Sequence, residues 1–181
     1  MITKIKSRTE IILIVLKYLA LLGGIGFSIE CGAELLSLVA GILNPAWSIH
    51  VYKFDPDWLH IRENNAGLYV CGMVLIIAIS ALKGTIWYLI FNLLEKFQLQ
   101  SPFSMKVTKQ LEKISFLLLG TWFLMGFIGK TYSYYLIKST GLTMPGQNMG
   151  DDYFFVAGIV YIISQIFKRG IEMQEENSLT V

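Results

Sequence analysis

Only two histidines occur in the chain, His50 and His60, and both fall in a polar stretch with Asp55, Asp57 and Glu63. Imidazole and carboxylate are the ligand types of a divalent-metal site, but their spacing here matches no helix-borne zinc pattern, and such groups in a short loop are ordinarily solvated. No metal site is expected. Hydrolysis inside a bilayer needs a nucleophile, base or metal ligand at depth. The long apolar runs contain neither histidine nor aspartate. The expectation is therefore no enzyme, no catalytic residue and no cofactor.

Charge offers more than nucleophilicity does. Glu30 and Glu34 are four residues apart and share a helix face at the outer end of the first apolar run; Lys130 is expected at the same level on the third. These three form a candidate ionisable outer site, read either as a structural ion pair exposed to headgroup water or as part of an ion path. Ser164 and Gln165 are polar enough to hydrogen-bond between helices. Lys96, Lys106, Lys109 and Lys113 form a basic stripe suited to anionic lipid. The chain ends in an acidic tail from Ile171 to Val181 containing Glu172, Glu175 and Glu176.

The elements that must position these groups follow from the hydrophobic pattern. With 54% apolar and 15% charged residues over 181 positions, the chain has more hydrophobic side chains than one soluble core accommodates. The excess is gathered in runs, giving four expected membrane spans at about 11–29, 66–90, 114–135 and 150–167 in a single domain, 1–181. Lys83 and Lys130 interrupt two of these runs and are expected near helix ends, where the apolar stem can lie in lipid while the ammonium reaches water. A signal peptide is disfavoured because the first run is long and is followed by Phe27, Ile29 and Glu30. Lys4, Lys6, Arg8, the middle lysines, Lys168 and Arg169 outnumber the cations of the other connections, so both termini are expected in the cytoplasm.

Ala33 to Leu43 continues the first helix until Asn44-Pro45 stops it. Trp47, Tyr52, Trp58 and Tyr69 are expected in an interfacial aromatic belt. Cys31 and Cys71 fall near the outer ends of the first two spans, where a disulfide is conceivable. On the inner side, Ile86, Leu89, Ile90, Leu93, Leu94 and Phe97 recur at helical spacing, as do Phe103, Val107, Leu111 and Ile114. With Ser101-Pro102 as the break and restart, this predicts that the second and third helices extend below the membrane as a cytoplasmic hairpin. The fold expected is all-α, an integral membrane four-helix bundle with that hairpin.

Ser101-Pro102-Phe103 opening a helix between spans two and three, then Ile166-Phe167, Gly170 and the ending Gln174-Glu175-Glu176-Asn177-Ser178-Leu179-Thr180-Val181, resemble the bacterial four-span membrane proteins grouped as domain of unknown function 2975. Ser178 stands where aspartate is more usual and Ser101 where asparagine is common. The resemblance covers nearly the whole chain. It implies no known activity, but members are often encoded beside a small helix-turn-helix regulator.

Together these readings point to a sensory or regulatory protein of the bacterial inner membrane that couples a membrane condition to a cytoplasmic DNA-binding partner without itself binding nucleic acid. Its docking surface is expected at Pro102, Phe103, Lys106, Lys109, Lys113, Gln174, Glu175, Glu176, Asn177 and Leu179. The alternatives are a small transporter or channel subunit, with oligomerisation supplying the pore, and an assembly subunit of a membrane complex.

Overall fold

The computed structural model describes residues 8–44, 56–96, 104–144 and 150–178. Among these the regular structure is helical: α1 (Arg8–Leu43), α2 (Pro56–Asn64), α3 (Ala66–Lys96), α4 (Met105–Phe123), a π-helical segment (Leu124–Gly129), α5 (Lys130–Thr140) and α6 (Asp151–Ser178). Among the described residues, four helical stretches are long and apolar enough to cross a membrane: α1, α3, the continuous run from α4 through α5, and α6. The chain is thus a multi-pass membrane protein in architecture.

Helix ends follow local chemistry. Asn65 separates α2 from α3 and accepts the Leu68 amide on its side-chain oxygen at 3.1 Å, closing a free donor of the first turn. Pro56 opens α2, where its missing amide costs no hydrogen bond. At α4 the cap is Ser104, whose hydroxyl accepts from the Val107 amide at 3.4 Å; the break assigned to Ser101-Pro102 lies outside the described residues. Gly141, at φ 73°, ends α5 in the left-handed conformation that glycine adopts without a Cβ penalty.

Packing runs in pairs. The long α1 lies along α3, α4 lies along α6, and a narrower α3–α4 seam joins the pairs. Glycines set the approach. At Gly41, Tyr69 fills the space a side chain would take and donates its hydroxyl to the Ser37 carbonyl at 3.0 Å. At Gly72, the rings of Trp58 and Tyr132 occupy that space. These rings belong to a core of Trp58, Ile61, Tyr69, Met73, Leu75, Tyr132, Leu136 and Met144 that closes one end of the molecule. Trp58 and Tyr69 are therefore core residues, only 6% and 2% exposed and in edge-to-face contact at 6.2 Å, instead of members of a belt facing headgroups. Trp47 and Tyr52 lie outside the described residues.

A second, smaller core of Ile86, Ile114, Leu118 and Ala157 joins α3, α4 and α6. It confirms that the apolar stripes of the two hairpin arms face one another: Val107 and Ile114 are buried on α4, and Gln110 donates to the Leu89 carbonyl at 2.8 Å. Most remaining apolar side chains, including Leu22, Ile29, Leu36 and Phe155, point outward. Lipid is the solvent that such a surface fits.

Candidate functional site

Inter-helix contacts set the relative levels of the ionisable groups on the described long helices. Tyr132 donates to the Leu68 carbonyl at 2.8 Å and Gln110 to that of Leu89, which sets α3 residues 68–89 beside residues 110–132. Ser115 donates to the Ala157 carbonyl at 3.0 Å, Gln165 to Glu112 at 3.3 Å, and Trp122 meets Phe154 at 5.0 Å, which sets α4 beside the apolar part of α6. Residues near 80–83 on α3 thus fall midway along the apolar stretch of α4 and in the half of the α6 stretch nearer Asp152. Ionisable side chains are rare at such depth because leaving water there is costly.

That middle level holds the densest chemistry of the membrane region. Glu34 of α1 accepts a hydrogen bond from the Ser80 hydroxyl of α3 at 3.0 Å. One turn toward the basic end, Glu30 is half-buried on the same helix, and Lys83 of α3 places its ammonium 5.6 Å from the centre of the Phe27 ring. Cation–π contact and a carboxylate-rich neighbour on the facing helix both suit a lysine removed from water. Cys31 points its sulfur toward the Ile77 carbonyl at 3.9 Å.

The first helix continues past Glu30 and Glu34 to Leu43, as the sequence predicts, so both glutamates lie within the α1–α3 pair and not at its end. Lys83 does not lie near a helix end, since α3 runs on to Lys96. Lys130 is exposed at the close of the π-helical segment, two residues before Tyr132. The α3 register puts that position about three helical turns nearer the opposite end than Ser80. Cys31 and Cys71 are both free thiols; Cys31 sits at the level of Ile77, about two turns from Cys71.

At the basic end, Lys17 of α1 pairs with Glu95 of α3 at 2.9 Å, and both are partly solvated. Lys106, Lys109 and Lys113 are exposed on α4 beside exposed Lys168 and Arg169 on α6. Arg169 bonds Glu172 at 2.9 Å, and that hydrogen bond holds the guanidinium above its ordinary range. Beyond it, Gln174, Glu175, Glu176 and Asn177 are exposed on the last turns of α6. Pro102, Phe103 and Leu179 lie outside the described residues, so the expected docking surface is placed only in part.

Ser164 and Gln165 divide the role assigned to them. Gln165 crosses to Glu112, whereas the fully buried Ser164 donates to Tyr161 of its own helix at 2.6 Å. His60 approaches Glu63 at 3.8 Å with both side chains exposed. Among the described residues no group of three metal-ligating side chains converges. His50 and Asp55 lie outside them. Sequence reasoning missed Ser80, Lys83 and Gln110 as bridging groups; the available signal was a polar residue inside an otherwise apolar helical stripe.

Comparison with known families matches residues 53–181 to a family described as a protein of unknown function (DUF2975), so that α2 to α6 fall within the match and α1 precedes it. No curated protein matches, and no solved structure does.

Proposed function

The chain belongs to the DUF2975 family, and from that premise we propose that it is a non-enzymatic regulatory protein of the bacterial inner membrane, passing a condition of the bilayer to a soluble partner at its basic end. The positive-inside rule puts that end, and both termini, in the cytoplasm. A helix-turn-helix regulator is the partner class. The observation that carries the reading is the continuity of α6, which runs unbroken from Asp151 to Ser178. Its apolar part packs on α4, while its last turns expose Gln174 to Asn177 past the basic belt. A helix without a break transmits a shift or rotation in the membrane directly to the acidic tail.

Capture of soluble proteins by crosslinking from native membranes tests this, comparing the full chain with one truncated after Gly170. A regulator retained only by the full chain supports the proposal. Equal capture by the truncated chain removes the tail from it.

A second reading, a transporter or channel subunit, is favoured by one observation: Glu30, Glu34 and Lys83 share the middle depth of the bundle. Ion flux into proteoliposomes that is lost on Glu34→Gln would select it over the regulatory reading.

A further inference from the structure

The outer face shared by α4 and α6 combines an apolar groove with a cluster of cations at its mouth. The groove, about 430 Å³, is lined on α4 by Ser115, Phe116 and Leu119 and on α6 by Phe155, Gly158 and Ile162. It offers almost no polarity, because the Ser115 hydroxyl is turned away to the Ala157 carbonyl. Gly158 keeps the floor open: no atom lies within 4 Å of the place its Cβ would occupy.

Helical spacing carries the same face down to the charges. Lys109, Lys113 and Phe116 follow one another at intervals of four and three on α4, as Gly158, Ile162, Gln165 and Arg169 do on α6. Gln165 binds Glu112 across the two helices at the groove's mouth. Lys109, Lys113, Lys168 and Arg169 are all exposed there. The carboxylates at this level are Glu112, engaged by Gln165, and Glu172, paired with Arg169. The balance remains positive.

We propose that this groove binds one anionic phospholipid from the leaflet at the basic end, its acyl chain lying in the groove and its phosphate held by Lys109, Lys113 and Lys168. The groove occupies the lipid-facing apolar part of α4 and α6 and the cations stand at its boundary, so head and tail reach their sites together. Basic pockets between transmembrane helices select anionic headgroups for this reason. The stretch from Phe154 to Ile162 is about 12 Å long, which suits part of an acyl chain and is short for a helix crossing a core of about 30 Å. The site does not depend on the regulatory reading, and its test involves no soluble partner.

The test is equilibrium binding of phosphatidylglycerol and phosphatidylcholine to the delipidated full chain in a neutral detergent, with bound lipids counted by native mass spectrometry. One phosphatidylglycerol per chain should be retained in preference to phosphatidylcholine. Lys113→Gln and Lys168→Gln should each weaken it about fivefold. Gly158→Leu, which builds into open space and so should fold, should fill the groove and weaken binding with every cation intact. Equal retention of the two lipids overturns the proposal. So does unchanged binding by Gly158→Leu, which would reduce the site to surface electrostatics, or displacement by inorganic phosphate at the lipid's own concentration.

Discussion

Adding one methyl group at Gly72 should cost this protein more than almost any other single-atom change. A Cβ there would lie 2.7 Å from the Trp58 ring and 2.7 Å from Cζ of Tyr132, with the Tyr132 hydroxyl nearer still. Both rings are buried, at 6% and 8% exposure, so neither can swing into lipid without opening the core. Forced overpacking of this kind costs about 1–3 kcal/mol. Displacing Tyr132 also breaks its bond to the Leu68 carbonyl, worth about 0.6 kcal/mol in a membrane protein. Gly72→Ala should therefore destabilise the fold by about 2–3 kcal/mol, a shift of roughly a hundredfold in the folded-to-unfolded ratio. The assay is reversible unfolding in mixed micelles followed by tryptophan emission. Tyr132→Phe alone should cost about 0.6 kcal/mol. The double variant should cost less than the sum, because removing the hydroxyl relieves the closest contact. An unfolding midpoint for Gly72→Ala equal to that of the parent, or strict additivity of the pair, would refute the packing account.

Two neighbouring glycines on α1 should behave oppositely in the same assay. A Cβ at Gly23 would stand 2.7 Å from the Trp87 ring, whereas nothing lies within 4 Å at Gly26, so Gly23→Ala should destabilise by about 1–3 kcal/mol and Gly26→Ala should not. Oxidation with a membrane-permeant catalyst should leave Cys31 and Cys71 unlinked within one chain, since they stand at different depths; an intramolecular disulfide in non-reducing peptide mapping would contradict the α1–α3 register. Replacing Lys17 by Met should lower stability by at most about 1 kcal/mol, because its pair with Glu95 is partly solvated; a larger loss would mean that this end is dry.

Helix positions were legible in the sequence because long apolar runs admit few alternatives, and Asn44-Pro45 marked the end of α1 with a residue type that cannot continue a helix. Depth was less legible. A run of hydrophobes states that a segment prefers lipid, but only a contact between helices, such as Lys17 with Glu95 or Ser80 with Glu34, states which residues lie side by side. The same limit explains Trp58 and Tyr69: an aromatic near a helix end suits either an interface or a core, and the deciding factor is a distant glycine that makes room. Ser80 escaped notice and Lys83 registered only as a charge interrupting a run, because neither belongs to a recognisable motif; their meaning comes from the helix they face.

The same contacts decide where lipid lies along α1. This helix has 36 residues, about 54 Å at 1.5 Å per residue, and a bilayer core of about 30 Å covers little more than half of it. Hydropathy alone favours 11–29, the longest uncharged run but for Lys17. The neighbours argue otherwise. The apolar part of α6 is bounded by Asp152 and Lys168, and that of α4 with the π-helical segment by Lys113 and Lys130. Carried across α3 to α1, the α4 limits place lipid from near Gly24 to near Ala40 and the α6 limits place it from near Ala20 to near Glu34; both leave the turns around Ile12 beyond it, level with the end of α3, where Glu95 meets Lys17. A cysteine introduced at Ile12 should react with an impermeant maleimide applied from the basic side, in a background lacking Cys31 and Cys71, while one at Leu36 should not react with the same reagent applied from the opposite side. The reverse pattern would return Glu30 and Glu34 to the membrane boundary and leave the mid-depth charge cluster, with the transport reading that rests on it, without support.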